Sequence, residues 1–111
     1  MVNTDINELE KEFMRAVAIC KTRYGYNPTR FIQMLEEHGT IDTAIQLVNG
    51  AKIHEGLEKL WEFRRLDLSV EAIICRKPYC HLFSDEVLVK AKKRLKELGY
   101  SILEDKGEGS I

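Results

Sequence analysis

Two adjacent arginines, Arg64 and Arg65, stand between two apolar helical patterns and could do chemistry. Arginine carries a planar fork of N–H donors that matches phosphate or carboxylate oxygens, so the pair could bind an anion. The same position is the last turn of a predicted helix, where positive side chains are favoured by the helix dipole. Asp67 and Glu71 follow close enough in sequence to pair with them. We favour a structural role for the pair and keep anion binding as the alternative.

The densest run of positive charge is VKAKKRLKELGY, at residues 89–100. On a helix, this run predicts a basic stripe on the solvent side, which could follow a nucleic-acid backbone or bind an acidic protein surface. From the residues alone we slightly favour a solvated helix face that complements the helix dipole, and keep binding as the alternative. The candidate nucleic-acid or partner contacts are Arg76, Lys77, Lys90, Lys93, Arg94 and Lys96.

The segment CRKPYCH contains two cysteines and a histidine, Cys75, Cys80 and His81. A zinc site needs four ligands, usually as two closely spaced pairs, and a second pair is missing from the sequence. HEGLE at His54 lacks the second histidine of the H-E-x-x-H zinc pattern because Glu58 stands in its place. We therefore expect no metal and no other cofactor. A hydrolase that uses His81 and a cysteine is kept as a third hypothesis.

A further pattern suggests a helix-turn-helix, with HGT at residues 38–40 as the tight turn. The predicted exposed positions of the second helix of this pair are Asp42, Thr43, Gln46 and Asn49. Glutamine and asparagine can read adenine edges. Several acidic residues crowd the region, however, and would repel phosphates, so we favour an ordinary helical corner.

Length and composition fit one globular domain. The chain has 111 residues, with 17 basic and 18 acidic side chains and a formal net charge of −1. This balance argues against a strongly basic nucleic-acid-binding class but permits a local patch. The sequence shows no secretory signal and no apolar run of roughly 18 residues. Three cysteines, an odd number, are typical of reduced thiols. We expect a cytoplasmic protein.

The apolar periodicity predicts an all-α domain, a compact array of about six short-to-medium helices. They cover about residues 5–23, 26–39, 40–50 and 53–65, then a fifth helix between Ser69 and Pro78, and a sixth between Ser84 and Gly99. The predicted buried face of the fourth helix is Ile53, Leu57, Leu60 and Trp61. We expect one domain at 1–103 and a flexible tail at 104–111.

Four short stretches carry a resemblance to a known helical module. They are Tyr26-x-Pro28 with Phe31, Met34-Leu35 and Gly39; Leu60-Trp61 with Arg65-Leu66-Asp67-Leu68 and Glu71; Leu82-Phe83-Ser84; and Arg94-Leu95 before Gly99-Tyr100. From Tyr24 to Tyr100 the chain resembles an uncharacterised bacterial domain that occurs alone or appended to restriction-endonuclease-like and other defence-related proteins. The connector from Cys75 to His81 is more basic and cysteine-rich than that pattern.

The resemblance implies a non-catalytic accessory module near nucleic-acid enzymes, and it implies that Arg65, Asp67 and Glu71 form a structural polar link. Together, these observations predict a non-enzymatic helical module that associates with nucleic acid or with a nucleic-acid-processing protein, in a bacterial or phage defence context. The alternative is a protein–protein adaptor, or an inhibitor of a nuclease complex, without nucleic-acid affinity of its own. We expect no membrane association and no small-molecule substrate.

Overall fold

Apolar residues at helical spacing give this chain an all-α architecture, as predicted. A computed structural model describes residues 4–100, and in this range it contains helices, 3-10 turns and no strand. The α-helices are α1 (Thr4–Tyr24), α2 (Thr29–Asn49), α3 (Glu55–Glu62), α4 (Val70–Ile74) and α5 (Asp85–Glu97). Two 3-10 turns lie at Leu66–Leu68 and Tyr79–Leu82. The predicted second and third helices are the two segments of α2, so the described range holds five helices instead of six.

The two segments of α2 meet at a kink at Gly39, whose φ of 85° and ψ of 175° are not helical. This conformation is almost restricted to glycine, since a Cβ atom would collide with the backbone. Thr43 is fully buried beyond the kink, and its hydroxyl donates to the carbonyl of Met34 at 2.9 Å. The prediction that Thr43 is exposed for base reading is therefore wrong, because its side chain holds the two segments together.

Side-chain caps fix where the short helices begin. The hydroxyl of Ser69 accepts from the Ala72 N–H at 3.1 Å, and the hydroxyl of Ser84 accepts from the Val87 N–H at 3.3 Å. The predicted fifth and sixth helices begin after these two serines, as the structure shows, and each cap satisfies one of the unpaired N–H groups at a helix start. Helix α4 is shorter than predicted, because it ends at Ile74, well before Pro78.

The core is built around α4, all five of whose residues are buried. This helix contacts α1, α2 and α5, so it fills the centre of the array. The main buried cluster takes Leu9 and Phe13 from α1, Val48 from α2 and Ala91 from α5. Phe13 also meets Phe31 edge to face, with ring centroids 5.5 Å apart. A second cluster consists of Cys20, Leu57, Leu60, Leu66, Ala72 and Leu95.

Helix α3 buries less of its surface than predicted. Leu57 and Leu60 are buried, but Ile53 is 39% exposed and Trp61 is 49% exposed. Ile53 precedes the helix start, so it does not share the helical face. Trp61 lies one residue from the end of the helix, where the chain turns away. The prediction that both side chains belong to the buried face is wrong for these reasons.

Within residues 4–100, no helix is both long and apolar enough to cross a bilayer. The tail predicted to be flexible, residues 104–111, lies outside the described range, as do residues 101–103 of the predicted domain.

The kink at Gly39 should limit which residues that position accepts. Apart from the residue itself and its two chain neighbours, a Cβ atom there would meet no atom within 4 Å, so local backbone strain is the expected cost of Gly39→Ala. We expect the variant to lose about 1–3 kcal/mol of unfolding free energy in urea. Gly50→Ala is the matched control, because Gly50 has an ordinary φ of −59°. Equal stability of both variants would show that the kink does not depend on glycine.

Candidate functional site

The outer face of α5 presents a group of lysines around one exposed apolar residue. Val89 is 64% exposed. Lys92, Lys93 and Lys96 follow it at three-, four- and seven-residue steps, which places all four on one face. Lys90, Lys93 and Lys96 are exposed, and none of them forms an ion pair within residues 4–100. We call Val89, Lys90, Lys92, Lys93 and Lys96 the α5 basic face.

Arg94 does not belong to this face. It is only 8% exposed, although the sequence placed it on the solvent side of the helix. Its guanidinium donates to the carbonyl of Leu47 at 3.0 Å and to the carbonyl of Gly50. These carbonyls lie at the C-terminal end of α2, where the helix leaves its last C=O groups without partners and where positive charge is favoured. Arg94 therefore fastens α5 to the end of α2.

Arg76 and Lys77 are both exposed, but Arg76 is engaged inside the molecule. Its guanidinium donates to the backbone carbonyl of Asp67 at 2.7 Å and lies 3.9 Å from the carboxylate of Glu12. Arg76 thus joins α1 to the turn before α4. Of the predicted contact residues, Lys77, Lys90, Lys93 and Lys96 keep exposed charges outside any ion pair of the described range.

The adjacent arginines Arg64 and Arg65 have separate roles. Arg64 is exposed and has a positive φ of 62° as the chain leaves α3. Arg65 forms a two-point contact with Asp67, with N···O distances of 3.0 and 3.1 Å, and donates to the hydroxyl of Tyr24 at 3.3 Å. The Tyr24 ring is stacked on Phe63 at 4.6 Å. Arg65 therefore ties the end of α1 to the turn before α4, and its hydrogen bonds lower the pKa of Asp67.

Glu71 pairs with a histidine instead of with Arg65. Its side chain is fully buried in α4, and one of its carboxylate oxygens lies 2.9 Å from Nε2 of His54. The Leu57 N–H donates to Nδ1 of His54 at 3.2 Å, so Nδ1 is an acceptor and Nε2 carries the proton that Glu71 accepts. The other oxygen of Glu71 has no hydrogen-bond partner in the described part of the chain. Both nitrogens of His54 are thus in use.

The three cysteines form no disulfide with one another, and their surroundings differ. Cys20 and Cys75 are buried, whereas Cys80 is partly exposed. Burial raises the pKa of the Cys20 thiol, against the opposing charge of Arg65. His81 is bound to the carboxylate of Asp5 at 2.6 Å, which ties the second 3-10 turn to the start of α1. Between residues 4 and 100, no three potential ligands converge to hold a metal ion.

Two cavities open on the described surface, and the sequence indicated neither. One has a volume of about 410 Å³ and lies between α1, α2 and α3, with Cys20 and His54 among its walls. The other, of about 480 Å³, is lined by Trp61 and Arg64 together with the end of α5. A cavity depends on which helices face each other across a gap, and helical periodicity does not contain that information.

Comparisons with protein-family models, with curated protein sequences and with solved structures find no match for this chain. The candidate site has two parts. Its exposed part is the α5 basic face, and its supporting part is the contact of Arg94 with the end of α2.

The buried position of Arg94 predicts a structural effect when it is replaced. Arg94→Met leaves the carbonyls of Leu47 and Gly50 without their donor, so we expect a loss of about 2–3 kcal/mol of unfolding free energy. Lys93→Met is the matched control on the exposed side, where a change of no more than about 0.5 kcal/mol is expected. Urea denaturation of both variants measures the difference. Similar values for both would contradict the structural role of Arg94.

The pair of Arg65 and Asp67 predicts a specific dependence of stability on pH. Because the pKa of Asp67 is lowered in the folded protein, its stabilisation is present above the pKa of an unfolded aspartate, about 4, and is lost as the pH falls through the folded value. We expect Asp67→Asn to lower stability at pH 7 by up to about 1 kcal/mol, since the pair is partly solvated. The difference from the wild type should shrink towards pH 2, measured by urea denaturation. A difference that stays constant with pH would rule out the ionised pair as its source.

Proposed function

We propose that this chain is a non-catalytic helical module that binds the phosphate backbone of nucleic acid through the α5 basic face. The observation that carries the proposal is the group of three exposed lysines, Lys90, Lys93 and Lys96, which form no ion pair within the described residues. Free ammonium groups at helical spacing match a row of phosphates, and binding then gains from the release of counterions.

The way α5 is held also supports the proposal. Arg94 fixes the helix to the end of α2 from its buried side, while the lysines point outward. A rigid helix that presents charge loses little conformational freedom on binding. The acidic residues Asp85 and Glu86 occupy the first turn of the same helix, and the whole chain carries a formal charge of −1. We therefore expect modest affinity without base specificity, because no base-reading side chain accompanies the lysines.

Two features support a module without catalysis. His54 uses both ring nitrogens in hydrogen bonds, so it has no free nitrogen to act as a base towards Cys20 on the wall of the same cavity. Burial raises the pKa of that thiol, which disfavours the nucleophilic thiolate.

The resemblance to modules of defence-related proteins supports a cytoplasmic role beside a nuclease.

A protein–protein adaptor, or an inhibitor of a nuclease complex, is a second candidate function, and Trp61 favours it. The indole is 49% exposed and lines the cavity that also holds Arg64 and Tyr100. Tryptophan, tyrosine and arginine are the residues that most often dominate the energy of protein interfaces. In this function the α5 basic face would contact an acidic protein surface, and free nucleic acid would not bind.

Fluorescence anisotropy with labelled single- and double-stranded DNA and RNA separates these candidates. If three lysines contact duplex phosphates, the association constant should fall about 40-fold between about 50 and 200 mM salt, from a slope of about −0.9 per contact. The variant K90Q/K93Q/K96Q should lose binding at both salt concentrations. The matched control is K11Q/K21Q/K59Q, which removes three lysines from α1 and α3 and should keep wild-type affinity.

Binding that depends on salt and is lost only in the α5 variant would support nucleic-acid recognition. Equal losses in both triple variants would point to net charge instead of a defined face. No binding by the wild type at either salt concentration would contradict the proposal and favour a protein partner.

A further inference from the structure

The cavity between α1, α2 and α3 has the size and the walls of a ligand site. Its volume of about 410 Å³ falls within the range of small-molecule pockets, about 300–1,000 Å³. Apolar side chains form most of its wall, including Val17 of α1, Phe31 and Met34 of α2, and Leu60 of α3. The cavity opens on the surface, and its apolar walls suit an apolar guest, which gains free energy by leaving water.

The kink at Gly39 contributes to the shape of this cavity. Phe31 and Met34 come from the first segment of α2, and Leu47 comes from the second. In a straight helix, the directions of these side chains would be fixed around a single axis. The kink gives the two segments different axes, so both can line the same space. The cavity is therefore a product of the backbone path.

The cavity wall carries more positively charged side chains than negatively charged ones. Arg30 and Lys52 are exposed cations, and neither forms an ion pair within residues 4–100. Glu55 is the acidic residue on the same wall. The Tyr26 hydroxyl can donate, because a tyrosine is protonated at neutral pH and burial, then the charge of Glu55, raises its pKa further. Two cations and a phenol against one carboxylate favour an anionic head group.

The part of the wall around His54 is less exposed than Arg30 and Lys52, and it has a different polarity. His54 lines the cavity, but both of its ring nitrogens are already in hydrogen bonds, and behind it lies the buried carboxylate of Glu71. An anion at this end would meet a buried acid and no free donor from the imidazole. The head group of a bound anion is therefore expected at the exposed cations, with its apolar part inside.

We propose that this cavity binds a medium-chain alkyl carboxylate, with the chain against the apolar walls and the carboxylate between Arg30 and Lys52. No residue of α5 is among the described residues that line the cavity, so the proposal does not rest on nucleic-acid binding by the α5 basic face. The sequence did not indicate a small-molecule ligand, because the lining residues are scattered from α1 to α4.

The test uses isothermal titration of the full chain with sodium decanoate below its micellar concentration. Decan-1-ol and decyltrimethylammonium provide the same chain without the charge or with the opposite charge. We expect one decanoate per chain and weaker binding of both controls. The variant R30Q/K52Q should bind decanoate about tenfold more weakly, while K21Q/R23Q, which removes one lysine and one arginine outside the cavity, should bind as the wild type does.

A second variant, Ala16→Leu, fills the cavity from α1 and should abolish decanoate binding. Its fold is checked by circular dichroism, and the charge variant tests the site independently if Ala16→Leu does not fold. Absence of decanoate binding by the wild type would overturn the proposal. Equal affinity for decanoate and decan-1-ol, or an unchanged affinity in R30Q/K52Q, would overturn the role assigned to Arg30 and Lys52.

Discussion

The buried carboxylate of Glu71 is the constraint around which the fold is arranged, and His54 supplies a hydrogen bond to one of its two oxygens. Helix α4 occupies the centre of the array with every residue buried, and one of these residues is an acid. A carboxylate without a partner would be costly there, because burial removes its solvation by water. His54 supplies the donor from the start of α3 at 2.9 Å. The central helix can be enclosed on all sides because α3 delivers this imidazole.

The same imidazole also caps α3. Its Nδ1 accepts from Leu57, which satisfies one of the N–H groups at the helix start and leaves the proton on Nε2 for Glu71. One side chain thus sets where α3 begins, compensates the acid in α4 and forms part of a cavity wall. The histidine of HEGLE therefore has a structural role. The sequence lacks the second histidine of the zinc pattern, and both ring nitrogens of His54 are in hydrogen bonds.

The sequence predicts most of the helix starts and breaks. It predicts little of the side-chain burial that depends on which helices pack against each other. Ser69, Ser84 and Gly39 could be assigned because caps and breaks depend on a few neighbouring residues. The burial of Arg94 had a signal that was missed: it follows Val87 and Ala91 at seven- and three-residue steps, on the apolar stripe of α5. The exposure of Trp61 had no such signal, since it depends on where α3 ends and on what lies across from it.

Leu47 connects the two surfaces considered for binding. Its side chain lines the cavity, and its carbonyl accepts from Arg94, which holds α5. Both groups leave the same backbone position near the end of α2, so the packing of the cavity and the placement of the α5 basic face share one anchor. Coupling between two sites requires that a ligand distinguish two arrangements of the element that joins them. The last turn of α2 joins the two surfaces in this molecule, because Leu47 lines the cavity and its carbonyl accepts from Arg94.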